Sequence, residues 1–153
     1  MLNSIIQDKE FADVMQSNIQ GMMIHFFENN INFGVLCNIE DVSFDPTLPE
    51  DIASAFHPMT LFFLAGYTFD TARIIDNDLV FEAGFGSDNF GSVTTIPLLS
   101  IMQIIIDETP VLINLATYKK DIESVVKQSD NRGVENSMSS FLSNPENSKF
   151  LKD

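Results

Sequence analysis

The 153-residue chain reads as an α+β domain with a mostly β core. Three observations predict that class. Phe11, Met15, Ile19, Met22 and Phe26 recur at spacings of three and four, the repeat of one amphipathic helix near the start of the chain. Leu79, Phe81, Ala83 and Phe85 alternate with Val80, Glu82 and Gly84, the two-residue period of a half-buried strand. The remaining apolar runs are short and bounded by Gly, Pro, Asn and Asp, the punctuation of strands and turns.

The helix is expected from Phe11 to Asn29, closed by Glu28-Asn29-Asn30. Met23, Ile24 and Phe27 widen its apolar stripe beyond one core face. It therefore either packs plainly on a sheet or adds a dimer contact, for which Met15, Ile19, Met22, Met23 and Phe26 are the candidates. Gly21 costs about 1 kcal/mol relative to Ala and leaves room for a close helix crossing.

Phe33 to Ile39 is a compact strand candidate. Asp45-Pro46-Thr47-Leu48-Pro49 is a loop, because its two prolines disfavour both helix and central strand. Glu50 to Phe56 forms a short helix or turn that stops before Pro58. Thr60 to Ala65 has strand length, Gly66 breaks it, and Phe69 to Ile75 is a weaker strand.

Asp76-Asn77-Asp78 is a turn signal, and Gly86 to Gly91 is a second one with Ser87, Asp88 and Asn89. The strand between them and Ser92 to Ile96 then form a hairpin. Pro97 suits the first turn of a helix, since it has no amide hydrogen to lose there. An apolar helix through Leu98, Leu99 and Ile101 to Ile106 is expected to follow, interrupted only by Ser100 and Gln103. The competing reading is a strand for Ile101 to Ile106, whose branched residues suit sheets. Val111 to Ala116 is the last strand.

The chain thus divides into a domain over residues 1–116 and a tail over 117–153. The tail should begin with a helical piece from Tyr118 to Lys127, and residues 129–153, rich in Ser and Asn, read as flexible. Met138, Phe141, Leu142, Phe150 and Leu151 stand isolated there, either as docking motifs or as residues that fold back on the body.

The net charge of -14 is concentrated in the domain. Residues 1–116 hold sixteen Asp and Glu against Lys9 and Arg73, whereas the tail is balanced. Such a body repels nucleic-acid phosphates and anionic lipid, because binding them depends on Lys and Arg. The acidity serves solubility or attracts a neutral or cationic segment of a partner. The apolar runs fall short of the ~20 residues of a membrane span, and the N-terminus lacks the basic-then-apolar order of a signal peptide. A cytoplasmic protein is expected. The single Cys37 cannot form an internal disulfide and reads as a small buried strand residue.

No catalytic pattern emerges. His25 and His57 are the only histidines, and neither has metal-ligand spacing. Gly84-Phe85-Gly86 with Gly91 is not a dinucleotide fingerprint, since a second strand intervenes before any helix, and no phosphate loop follows. Asp76 and Asp78 lack the calcium-loop pattern and read as turn formers. A binding protein without catalytic residues, metal or cofactor is expected. A small enzyme would need His25 or His57 within reach of Cys37 or of a carboxylate cluster.

Taken in order, Phe26-Phe27-Glu28-Asn29-Asn30, the strand Phe33 to Ile39, the Leu48-Pro49 turn and the Asp76 to Ile106 segment resemble the SspB family, adaptors that bring tagged polypeptides to the ClpXP protease. The likeness spans Phe11 to Asp107. It is strongest at Asn77-Asp78-Leu79-Val80-Phe81-Glu82-Ala83-Gly84-Phe85-Gly86 and at Ile96-Pro97-Leu98.

The resemblance implies a strongly bent antiparallel sheet, an Sm-like half-barrel, with an N-terminal helix that makes a homodimer contact. It implies an extended ssrA-like tag peptide in a groove beside the Phe-Gly strand, bordered by Ala83, Phe85 and Gly86. Phe81 is either groove wall or core. Small residues suit such a place, because a peptide backbone approaches only where side chains leave room. The resemblance further implies a terminal motif that docks on the ClpX unfoldase, for which Lys149, Phe150, Leu151 and Lys152 are the candidates. Two departures stand out: Gly84 occupies a position that is usually basic, and the family's acidic linker and Pro-containing terminal motif are not recognisable. The rival reading is an acidic secretion-type chaperone that holds an extended client segment. An adaptor would show a bent antiparallel sheet with the first helix at its edge and no long central dimer helix.

Overall fold

A computed structural model describes residues 1–119. The expected tail helix beyond Lys119, the segment 129–153 and Lys149, Phe150, Leu151 and Lys152 lie outside the described residues. Asp8 starts the long helix: its carboxylate accepts from the Phe11 amide at 2.9 Å, satisfying a donor that has no partner within the helix. After a short helix α1 (Leu2–Ile6), this helix α2 (Lys9–Glu28) runs two residues ahead of the expected start.

The strands follow in short pieces: β1 (Phe33–Asn38), β2 (Ser43–Asp45), β3 (Met59–Leu64), β4 (Arg73–Ile75), β5 (Asp78–Phe85), β6 (Phe90–Pro97), β7 (Ile101–Ile106) and β8 (Thr109–Ile113). Helices α3 (Glu50–Ala53) and α4 (Tyr67–Thr71) flank β3. The chain is α+β with a mostly β core, and all strand pairs are antiparallel. Their ladders make two four-stranded sheets, the first in the order β3-β1-β7-β8 and the second β2-β6-β5-β4.

Two sequence expectations are corrected. The helix begun by Pro97 reaches only a single 3-10 turn, Leu98–Ser100, and Ile101 to Ile106 is strand β7. Five of those six side chains are apolar and give no period, so length and branching decide: between β1 and β8 the ladder satisfies backbone groups on both edges. Of the strand expected over Phe69 to Ile75, the first three residues belong to α4 and only Arg73–Ile75 forms β4.

One core joins both sheets and the helix. Phe33 and Val35 of β1, Leu64 of β3, and Ile101 and Ile104 of β7 meet Leu79 and Phe81 of β5 and Ile96 of β6, all buried. Each such side chain stabilises the fold by roughly 1.5–3 kcal/mol relative to exposure. Helix α2 closes this core with Ile19, Met23 and Phe26. Those three candidate dimer residues are therefore spent inside the chain, which corrects that part of the dimer expectation. Met15 and Met22 are half-buried, and α2 exposes Val14 and Ile24.

Candidate functional site

The site is built on the end of the β5–β6 hairpin. Ala83 pairs with Ser92 and Gly84 with Gly91, so four small residues lie side by side at the hairpin tip. Asn89 folds back over Gly84, where a Cβ would run into its side-chain amide. Gly86 has φ +77°, a conformation that favours glycine, and a Cβ there would stand 2.8 Å from Ile52 Cδ1.

Strand β4 pairs only with Asp78 to Val80, leaving the outer edge of β5 uncovered beyond that point. At Glu82 helix α4 takes over. The Glu82 amide donates to Thr71 Oγ1 at 2.9 Å, and that hydroxyl also lies 3.4 Å from the Glu82 carbonyl oxygen. Backbone direction repeats every second residue along a strand, so the amide and carbonyl of Gly84 point the same way as those of Glu82. Among the described residues no strand pairs with that edge. Strand β3 likewise ends its sheet, with β1 on one side and an open edge on the other.

A groove runs between these two edges. Its middle, a cavity of about 310 Å³, is lined by Leu61, Phe62 and Phe63 of β3 and by Phe81, Ala83 and Phe85 of β5. At one end it shares Ala83 and Gly84 with a cavity of about 610 Å³ bounded by Asp45, Pro46, Tyr67 and Glu82. At the other it shares Phe56 and Phe85 with one of about 430 Å³ that reaches Ile52, Gly86 and Asp88. The strand part of this line, Glu82 to Phe85, corresponds to about 13 Å of extended chain before the turn begins at Gly86.

Aromatic rings floor the groove. Phe85 lies edge-on to Phe44 at 5.4 Å and to Phe56 at 6.1 Å, and Phe44 stacks on Phe56 at 5.8 Å. The rim is acidic, with Asp45 and Glu82 at one end and Asp51 and Asp88 at the other. The Tyr67 hydroxyl donates to the Glu82 carboxylate, and this hydrogen bond, followed by the Glu82 charge, raises the phenol pKa.

The structure brings Ala83, Phe85 and Gly86 to this groove, while Phe81, 1% exposed, belongs to the core and backs the middle of the groove from below. Sequence reasoning missed Phe56, with Phe44 packed against it, Thr71 as the group that occupies the Glu82 backbone, and the facing edge of β3. Two phenylalanines on either side of the double-proline loop were the available signal.

The catalytic alternative receives no support from Cys37. Its buried thiol donates to the Thr60 carbonyl at 3.9 Å, and burial, aided by the Asp41 charge, pushes its pKa up to about 12, away from the thiolate a nucleophile needs. His25 Nδ1 instead meets the Asn29 amide at 3.3 Å, and both are exposed. Among the described residues no helix is long and apolar enough to cross a membrane. Comparison of the chain with protein-family models, with curated proteins and with solved structures gives no match.

Proposed function

We propose that the chain is a non-enzymatic cytoplasmic adaptor that binds an extended degradation-tag peptide of the ssrA kind and tethers the tagged protein to the ClpXP protease. The observation that carries this reading is the groove between two open strand edges. A peptide laid along Gly84 gains main-chain hydrogen bonds by adding a strand, while alternate side chains enter the shallow aromatic pockets. The SspB resemblance supports the same segment, with Ala83, Phe85 and Gly86 on the groove. Tethering raises local substrate concentration, to the millimolar range for short flexible links, and needs no catalytic group.

The groove's own chemistry narrows the ligand. An aromatic middle between acidic ends favours an extended peptide with apolar side chains in its centre and neutral or basic ones at both ends. The antiparallel sheets, and a long helix consumed by the chain's own core, favour this reading over the secretion-type chaperone. The test is calorimetric titration with a synthetic tmRNA-encoded tag peptide, followed by a binding assay with ClpX. Saturable binding that Ala83→Trp abolishes supports the reading; absence of both interactions sinks it.

A further inference from the structure

We propose that the cavity of about 610 Å³ beside Gly84 receives one basic side chain of the bound peptide, that of the residue paired with Gly84, and that Glu82 and Asn89 select it. The inference rests on the peptide reading above and adds to it a position and a chemistry. The position comes from register. Strand β4 pairs Arg73 with Val80, and the same count sets Thr71 opposite Glu82 and Phe69 opposite Gly84. There, however, the chain is already helix α4. Thr71 meets Glu82 through its hydroxyl, and Phe69 turns away to pack on Phe27 and Phe33. The chain's own ladder thus ends at Glu82, and Gly84 is the first residue of β5 that offers its outer edge to another strand.

Side chains paired across a sheet share a face. On the face that carries Glu82, one cross-strand row reads Asp45, Val93, Glu82, and the next reads Gly91, Gly84. A peptide residue paired with Gly84 extends the second row, so its side chain lies on this face. Its two neighbours then point to the other face, with Ala83 and Phe85. Glu82 becomes the diagonal neighbour of the paired residue, about 7–8 Å away, a distance that a long side chain spans.

The chemistry comes from what surrounds that place. Asn89 lies over Gly84, where a Cβ would run into its Oδ1. Its backbone amide closes the turn on the Gly86 carbonyl at 3.1 Å, while its carboxamide lines the cavity. The Asp45 and Glu82 carboxylates stand beside it, and the Tyr67 hydroxyl gives its proton to Glu82. The cavity therefore presents mainly acceptors, and no cation is among its lining residues. Among the described residues the only ion pair is Lys9 with Asp13, so neither carboxylate is matched within the domain. A Lys or Arg side chain brings a long stem, a positive charge and several donors, and accepts nothing. A carboxylate in the same place meets like charges and is disfavoured.

Calorimetric titration of the full 153-residue chain with the synthetic tag peptide, carrying Lys or Glu at each position in turn, tests this. One position is expected at which Lys binds at least about 10-fold more tightly than Glu, by a margin that shrinks as salt rises. Glu82→Gln should cut that margin to about threefold or less. Should this variant lose its circular-dichroism spectrum, Asn89→Gly makes the same test, because glycine accepts the positive φ of +54° at that turn. It should weaken the Lys peptide several-fold and the Glu peptide less. Peptide binding with no position that prefers Lys, or with a preference that survives these substitutions, overturns the inference and leaves the peptide reading standing. A chain that binds none of the peptides overturns both.

Discussion

The substitution Asp78→Asn should make the protein more stable at neutral pH, although Asp78 stands at the start of the hairpin that carries the groove. Burial in the corner where β5 meets the end of β6 disfavours its charged form, and the charge of Asp76 adds to the effect, raising the carboxyl from 3.8 to about 6. The folded chain therefore keeps a proton between those values that the unfolded chain has released. The favourable contribution is complete below pH 3.8 and is lost as pH rises through about 6. At about 1.36 kcal/mol for each pH unit, the ionised carboxylate costs at most about 3 kcal/mol at neutral pH; solvent reaching part of the side chain lowers this to about 1–3 kcal/mol. An amide in place of the carboxylate removes the charge with little change of shape. Urea denaturation of both proteins across the acid-to-neutral range should show the variant ahead by that amount at neutral pH and level with wild type in acid. Equal stability at neutral pH, or a lead that persists below the free carboxyl value, would refute the assignment of burial as the cause.

Other outcomes follow from single contacts. Asn114, 4% exposed, donates to the carbonyls of Leu99 and Ile101 at 3.0 Å each and accepts from the Ala116 amide at 2.8 Å. Asn114→Ala leaves those groups without partners and should destabilise by about 2–4 kcal/mol in the same urea assay. Cys37 should resist thiol reagents in the native protein at mildly alkaline pH and react only when urea exposes it, because its thiol stays protonated up to about 12. Thr71→Val frees the Glu82 amide and should cost about 1–3 kcal/mol, read from the shift of the urea midpoint. Gly86→Leu, in contrast to Ala83→Trp, should lower stability as well as binding, since its positive φ and the nearby Ile52 make it a turn residue as much as a groove residue.

What could be read from the sequence was what has a period or a turn signature. Helix α2 announced itself through its three-and-four repeat, and the β5–β6 hairpin through alternation between Gly- and Asp-marked turns. Strand β7 was ambiguous because a run of Ile carries no period, and Pro97 favoured the wrong partner for it. Helix α4 escaped because five residues, Tyr67 to Thr71, are too few to show one. The β5 half of the groove could be found from Ala83, Phe85 and Gly86. The β3 edge, Thr71 and the ring of Phe44 and Phe56 come from segments separated along the chain and meet only through tertiary packing.

Amide hydrogen exchange with and without the tag peptide is the most direct test of the groove. The Gly84 amide and the outward amides of β3 are expected to become protected on binding, while those of α2 and β8 do not change. Protection confined to α2 or β8, or saturable binding that leaves Gly84 exchanging at its free rate, would contradict a peptide seated between the two strand edges.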